Sequence, residues 1–377
     1  MLCAAILNSR QSKMPVGDKA WVVSTLKAVR HAGDNGYTII SSVGMNTWEL
    51  VTWSAGAAGA HLQLHMSIPF RDTIAGSMVD APVGKDAVAE MILREFELNP
   101  ARTEFRFHCQ DSAVRRKQFW PERDEEIVRL ADILYPVSIR SGGNFENLLN
   151  TAIPGGKIDR RFSVPYDSVN PDRNHPLPMK DRASACHDAP WPYLTHWTRS
   201  ANGKWPGETA AAYYRDIIQP GRAYPRSALA TLMRILAEKR IRASHWRIRE
   251  SHDVVSFTAL PPSASVKLMR WRKRFVRWNF EPYGIVIRKD AVQAIGLRPV
   301  MYGVPGDYKK LSVSDQPFFQ NRGVRGGDWT PEHEWRYVGD LDLHGIPHDA
   351  LKVIVCSPED VARVRPVTDA EILPLYR

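Results

Sequence analysis

Leu2-Cys3-Ala4-Ala5-Ile6-Leu7-Asn8-Ser9-Arg10-Gln11-Ser12 decides the fold class of the first half of the chain. Six apolar residues in a row make one buried strand and are far too short to span a bilayer. The strand runs straight into a polar loop that carries an arginine. In open α/β folds the carboxyl ends of strands are where ligands sit. Ser9, Arg10 and the loop N–H groups suit a phosphate there. The same N-terminus lacks the basic leader of a signal peptide, so a cytoplasmic protein is expected.

The rhythm continues outward from that strand. Helical spacing is read over Lys19–Ala32, with Trp21, Val22, Leu26 and Val29 on related faces. A β-rich run, Tyr37–Val43, leads through Gly44 into a second helix over Thr47–Ala60. Strands follow at Leu62–Ile68, Glu104–His108 and Ile133–Ile139, separated by helices over Ala87–Glu97 and Glu122–Ala131. This β-α alternation predicts a Rossmann-like parallel sheet with helices on both faces. Two more loops fall at strand ends. One is Ser41-Ser42-Val43-Gly44-Met45-Asn46-Thr47, where Gly44 permits close backbone approach and Asn46 or Thr47 can cap the helix. The other is Arg140-Ser141-Gly142-Gly143-Asn144. Ser42, Gly44, Gly142 and Gly143 therefore join Ser9 and Arg10 as candidate ligand contacts. The plain alternative is that these are the turns any such fold needs.

The pattern collapses between Ser163 and Pro192 into a stretch rich in Pro, Asp, Asn and His, read as a linker over residues 166–190. It divides a first domain, 1–165, from a second, 191–377. The 377 residues are too many for one ordinary core, which agrees with two domains. The second half reads as α+β with a mostly antiparallel sheet: strands at Tyr193–Arg199, Val254–Ala259, Tyr283–Arg288, Pro299–Tyr302, Trp335–Leu343 and Leu351–Cys356, and a helix at Ser227–Lys239.

Charge is placed unevenly. Residues 1–190 carry 22 Lys and Arg against 22 Asp and Glu, whereas residues 191–377 carry 29 against 19, so the net +10 sits in the second half. Such a surface attracts anions, nucleic acid or phosphorylated cofactors among them. The strongest basic-aromatic run is Arg270-Trp271-Arg272-Lys273-Arg274-Phe275-Val276-Arg277-Trp278. Its arginines can neutralise phosphates and its tryptophans stack on bases. The spacing of Trp271, Phe275 and Trp278 equally fits an amphipathic helix that buries its aromatics. The four cysteines, at 3, 109, 186 and 356, form no CxxC pair. That argues against a disulfide framework and against a zinc ribbon, and no metal site is read from the sequence.

Candidate chemistry lies in three later segments. Leu194-Thr195-His196-Trp197-Thr198-Arg199 offers His196 and Arg199. Val255-Ser256-Phe257-Thr258 places Ser256 and Thr258 on one face. Asp328-Trp329-Thr330-Pro331-Glu332-His333-Glu334-Trp335-Arg336 puts Glu332 and Glu334 at i and i+2, on one face if the stretch is a strand. Surface glutamates on an edge strand are the alternative, and Arg336 has a rival role as the internal ion-pair partner of one glutamate, in which case the motif is structural and not catalytic.

The apolar strand with Asn8-Ser9-Arg10-Gln11-Ser12, followed by Ile39-Ile40-Ser41-Ser42-Val43-Gly44-Met45, resembles the SLOG superfamily, which includes the DNA-processing DprA proteins and the LOG phosphoribohydrolases. The resemblance covers about residues 1–165 and implies nucleotide or nucleic-acid phosphate binding. The LOG-type glycine run and PGGxGTxxE motif are missing, and Asn46-Thr47-Trp48-Glu49 stands where DprA proteins have Gly-Ile-Asp, so no catalysis is carried over. The order His/Arg, Ser-x-Thr, Glu-x-Glu is similar to the ADP-ribosyltransferase superfamily. The stretch from Val255 through Glu281-Pro282-Tyr283-Gly284 and Pro299-Val300-Met301-Tyr302 to Arg336 also resembles the abortive-infection AbiGi-like family. The transferase resemblance implies NAD as cofactor, Glu334 and Glu332 as catalytic carboxylates, His196 and Arg199 on phosphate or ribose, Ser256 and Thr258 steadying the carboxylate, and Tyr283 or Trp197 stacked on nicotinamide.

The leading expectation is thus a cytoplasmic conflict or phage-defence protein, in which a nucleotide- or nucleic-acid-sensing domain is fused to an NAD-dependent effector. The first alternative is a non-enzymatic DNA- or RNA-binding protein of DprA-like fold. The second is an antitoxin-like partner protein bound through its tryptophans. No membrane association is expected, and the oligomeric state stays open.

Overall fold

The computed structural model describes residues 2–68, 70, 73–78, 84–109, 116–151, 157–167, 190–221, 223–245, 248–272, 276–293, 295–323 and 330–376. The chain divides into two compact units: Met1–Arg173 with Asn202–Pro225, and Asn174–Ala201 with Arg226–Arg377. No helix among the described residues is long and apolar enough to cross a membrane.

The first unit is built on five strands: β1 (Cys3–Asn8), β2 (Thr38–Ser41), β3 (Leu62–Ile68), β4 (Thr103–Cys109) and β5 (Ile133–Ser138). All pairings are parallel, in the order β4-β3-β2-β1-β5. The helices are α1 (Ala20–Asp34), α2 (Asn46–Ala57), α3 (Lys85–Phe96), α4 (Arg116–Leu130) and α5 (Asn144–Thr151). Strand β1 shows why the sheet is covered on both sides. Ala4 and Ile6 enter one core with Val22, Val29 and Met91, while Ala5 and Leu7 enter another with Ile127, Phe145 and Leu149. A strand buried on both faces reads as a continuous apolar run, which is what Leu2–Leu7 looks like.

A segment from the second half of the sequence completes this unit. Helix α6 (Ala210–Ile217) is started by Thr209, whose hydroxyl accepts from Ala212 N–H at 3.1 Å. Tyr213, Tyr214 and Ile217 belong to the same core as Val22 and Phe96. The expected linker, residues 166–190, falls almost entirely outside the described residues.

The second unit carries a seven-stranded sheet. Its strands, in chain order, are β6 (Tyr193–Trp197), β7 (Val254–Thr258), β10 (Gly284–Arg288), β11 (Arg298–Pro299), β12 (Glu334–Val338), β13 (Leu351–Val355) and β14 (Glu371–Pro374). A separate two-stranded hairpin is formed by β8 (Trp271–Arg272) and β9 (Arg277–Trp278). The order is β11-β12-β7-β6-β10-β13-β14, antiparallel except for β13 beside β14. Helix α7 (Ala228–Glu238), capped by Ser227, packs Leu229, Leu232 and Leu236 against Val255, Phe257 and Ile285 on one face. The other face holds Val286 and Ile354 with Val266, Met269 and Trp278.

Two expectations are corrected here. Glu332 and Glu334 do not share a strand. Residues Thr330–Glu332 form a 3-10 turn, His333 takes a left-handed φ of 46°, and β12 begins only at Glu334. Pro331 explains the break, since it has no N–H to give a ladder. Likewise Trp271 and Trp278 lie on paired strands of a hairpin and face each other across it, rather than along a helix.

Candidate functional site

The first unit's sheet has its topological switch at β1, whose neighbours β2 and β5 are reached by connections running in opposite directions. The loops after β1 and β5 flank that point. They are knit together: Ser9 N–H donates to the Ser138 carbonyl at 2.9 Å, and Arg140 N–H donates to Ser9 Oγ at 2.9 Å. Gln11 Nε2 reaches Ser138 Oγ at 3.1 Å. Arg10 is exposed, and its carbonyl accepts from the Tyr166 hydroxyl. Two buried oxygens, Asn8 Oδ1 at the end of β1 and Thr47 Oγ1 in the first turn of α2, have no hydrogen-bond partner among the described residues.

The two glycine-bearing loops behave differently from simple phosphate cradles. Gly44, at φ 95°, donates its N–H to Glu49 Oε1 at 2.9 Å. Glu49 is buried in α2 and also accepts from Ala75 N–H and the Tyr214 hydroxyl, at 2.8 and 2.7 Å. An internal carboxylate therefore occupies the place a ligand anion would take. Gly142 N–H donates to Glu146 Oε2 at 2.6 Å, but that contact is exposed and open to competition. Gly143 N–H closes a turn onto the Arg140 carbonyl. Ser42 Oγ donates to the His65 carbonyl and accepts from Arg123, so it too has an internal role. Neither Asn46 nor Thr47 caps α2. The Asn46 side chain instead donates to the Ser12 carbonyl at 2.6 Å.

In the second unit the structure brings Ser256, Thr258, Glu332 and Glu334 together. Strands β7 and β12 pair Thr258 with Glu334 and Ser256 with Arg336, so the side chains of Ser256, Thr258, Glu334 and Arg336 project from one face. Ser256 Oγ donates to Glu334 Oε1 at 2.7 Å. Arg336 grips the same carboxylate with two bonds, Nε to Oε1 at 2.9 Å and Nη2 to Oε2 at 3.0 Å, which is the internal ion pair expected of a structural motif. Arg336 is itself buried and held by the carbonyls of Pro317 and Phe319. Thr258 Oγ1 donates to the Glu332 carbonyl at 2.5 Å and so fixes the turn.

Glu332 is the electrostatic outlier of this group. Burial, and then the neighbouring Glu334 charge, push its carboxyl up to about 7, against the pull of Arg270, Arg272 and Arg199. A carboxyl that titrates near neutrality can act as acid or base at physiological pH. Arg270 and Arg272 come from the start of the hairpin, so its basic residues stand beside Glu332. Arg199 is within electrostatic reach of Glu281, Glu332 and His196.

His196 and Tyr283 stand apart from these carboxylates. Strands β6 and β7 share the single register pair Thr195 with Thr258. His196 pairs with Ile285 and packs its ring 5.6 Å from Phe257, on the face opposite Ser256. Its Nδ1 bonds to the Ser256 carbonyl across the gap at 2.8 Å, and burial lowers its pKa to about 4, so it is neutral at pH 7. Tyr283 donates to Asp360 Oδ2 at 3.0 Å and packs with the α7-side core. Trp197 stacks on Phe280 at 6.0 Å. Tyr302 was missed as a site residue; its hydroxyl accepts the Glu334 N–H at 3.2 Å, and only proximity in space reveals it.

No protein-family model matches the chain, and no curated protein matches it. Among solved structures, the chain is similar to DNA processing protein A from Helicobacter pylori, described for its single-stranded DNA binding mode. Identity is 14%, the match covers 39% of this chain and 58% of that one, and the TM-score is 0.26.

Proposed function

We propose that the second unit carries an ADP-ribosyltransferase-like site that takes NAD, in an effector of bacterial conflict or phage defence. The observation that carries this reading is the Ser256–Glu334 hydrogen bond with Glu332 close by, at a pKa of about 7, beside Arg199, Arg270 and Arg272. Breaking the nicotinamide–ribose bond builds positive charge on the ribose. A fixed carboxylate, Glu334, stabilises that charge in the transition state. Ser256 and Arg336 hold the carboxylate in one orientation before substrate arrives. Glu332 takes the proton of the attacking hydroxyl or water. The arginines of the hairpin bind the diphosphate. In the first unit, the loops after β1 and β5 bind a nucleotide or nucleic-acid phosphate, with the exposed Arg10 side chain and the Gly142 N–H as the donors such an anion needs.

The test is nicotinamide release from NAD by the pure protein, with and without DNA, beside Glu334→Gln and Glu332→Gln. Release that Glu334→Gln abolishes supports the reading. Absence of release under all conditions overturns it and favours a non-enzymatic nucleic-acid-binding protein. That second reading draws on the basic hairpin: Arg270, Arg272 and Arg277 would contact phosphates, giving an affinity that falls steeply with salt and is indifferent to Glu334→Gln.

A further inference from the structure

Strands β3 and β4 each alternate apolar and polar residues. Leu62, Leu64 and Met66 enter one core with Phe105 and Phe107 packed beside them, so Gln63, His65, Ser67, Glu104, Arg106 and His108 share the opposite face. An internal strand of a covered sheet normally spends that face on apolar side chains. Here α4 covers it with polar ones. Arg123 is buried, paired with Asp124 and bonded to Ser42, and Glu126 lies one turn further along. A buried polar seam of this kind is costly unless its members serve one another or a ligand.

We propose that His65, His108 and Glu126 form a binding site for a divalent transition-metal ion of the zinc class. Their ligand atoms all lie within 4.8 Å of one another. His65 Nδ1 stands 3.1 Å from His108 Nε2, His108 Nδ1 is 3.2 Å from Glu126 Oε2, and His65 Nδ1 is 4.0 Å from Glu126 Oε2. Two ligands bound to one tetrahedral zinc at ordinary bond lengths are about 3.3 Å apart. The two short contacts use opposite nitrogens of the His108 ring, so a shared ion takes one of them, and the ring and the Glu126 carboxylate turn to close the remaining separation of at most 4.8 Å. Gln63 supplies the outer support such sites use: its Oε1 accepts from His65 Nε2 at 3.3 Å, which leaves the Nδ1 lone pair pointing at His108. Two cations border the cluster, and each has its own acid: Arg106 pairs with Glu104 and Arg123 with Asp124. Three protein ligands leave a further coordination position for water, the arrangement of an open site.

The competing account is a hydrogen-bonded chain, Gln63–His65–His108–Glu126, in which a proton on His108 does what the metal would do. Untagged full-length protein, stripped with chelator, separates the two when titrated with Zn2+ by calorimetry and with Co2+ by visible absorption. The expected result is one equivalent bound, with His108→Ala and Glu126→Gln each weakening affinity at least about 10-fold. Both replaced residues are only half-buried, and a native circular-dichroism spectrum of each variant excludes unfolding as the cause. No binding by the wild type overturns the proposal. Equal binding by wild type and both variants overturns it as well, since the ion then sits elsewhere.

Discussion

Glu332→Gln is expected to stabilise the second unit, and to do so only above the ordinary carboxylate range. In the unfolded chain Glu332 loses its proton near pH 4.5, whereas in the native state it holds it up to about 7. Below pH 4.5 both states carry the neutral acid, and charge makes no difference to stability. As pH rises from 4.5 to 7 the native state binds more protons than the unfolded one, so the wild type loses stability across that window. At 1.36 kcal/mol per pH unit the ceiling is about 3 kcal/mol. Glu332 is partly exposed, so about 1–2 kcal/mol is the realistic size. Glutamine keeps the backbone carbonyl that Thr258 holds and removes only the titrating group. Urea unfolding of both proteins at pH 4, 6 and 8, followed by tryptophan fluorescence, measures the difference. A stability gap that does not change with pH, or one that favours the wild type at pH 8, refutes the assigned environment of Glu332 and with it the acid–base role.

Arg336→Met should cost about 3–5 kcal/mol in urea unfolding, because it strands Glu334 together with the carbonyls of Pro317 and Phe319. Adding Glu334→Gln should recover part of that loss. Glu49→Ala removes the acceptor of three donors, two of them buried, and should lower first-unit stability by about 3 kcal/mol, measured as a shift in its urea midpoint. His196 has a depressed pKa, so its contribution is present above pH 6.5 and is lost as pH falls toward 4. His196→Asn should accordingly be better tolerated at pH 5 than at pH 8 in the same assay. Charge removal by Arg270→Gln with Arg272→Gln should weaken binding of NAD or single-stranded DNA and flatten its salt dependence, read by fluorescence anisotropy against sodium chloride.

The strands and the parallel class of the first sheet were legible because burial on both faces leaves unbroken apolar runs, as at Leu2–Leu7 and Ile133–Val137, whereas the strand order was not read from the sequence. The antiparallel class of the second sheet followed from strands with few helices between them. Pairing geometry was not legible. The sequence places Glu332 and Glu334 two apart, but whether they share a face depends on the left-handed turn at His333, which Pro331 sets up and periodicity does not register. The helical spacing of Trp271, Phe275 and Trp278 proved compatible with a hairpin whose tryptophans meet across it. His196 shows the same limit. Its position on β6 was readable, but the face it presents is settled by pairing with Ile285, 89 positions further along in the sequence numbering. The His65, His108 and Glu126 group is invisible to any local motif, because three separate elements supply it.

Helix α6 has a consequence for how this protein is made. The ribosome releases residues 1–173 well before Tyr214 emerges, so the nascent first sheet waits with Glu49 short of one donor and with the surface later covered by Tyr213, Tyr214 and Ile217 still wet. The first unit is therefore finished only after the opening strand of the second, β6, has already been synthesised. A chain ended at residue 165 should be prone to aggregate, while one in which residues 202–225 are rejoined directly behind residue 173 should recover a cooperative fold.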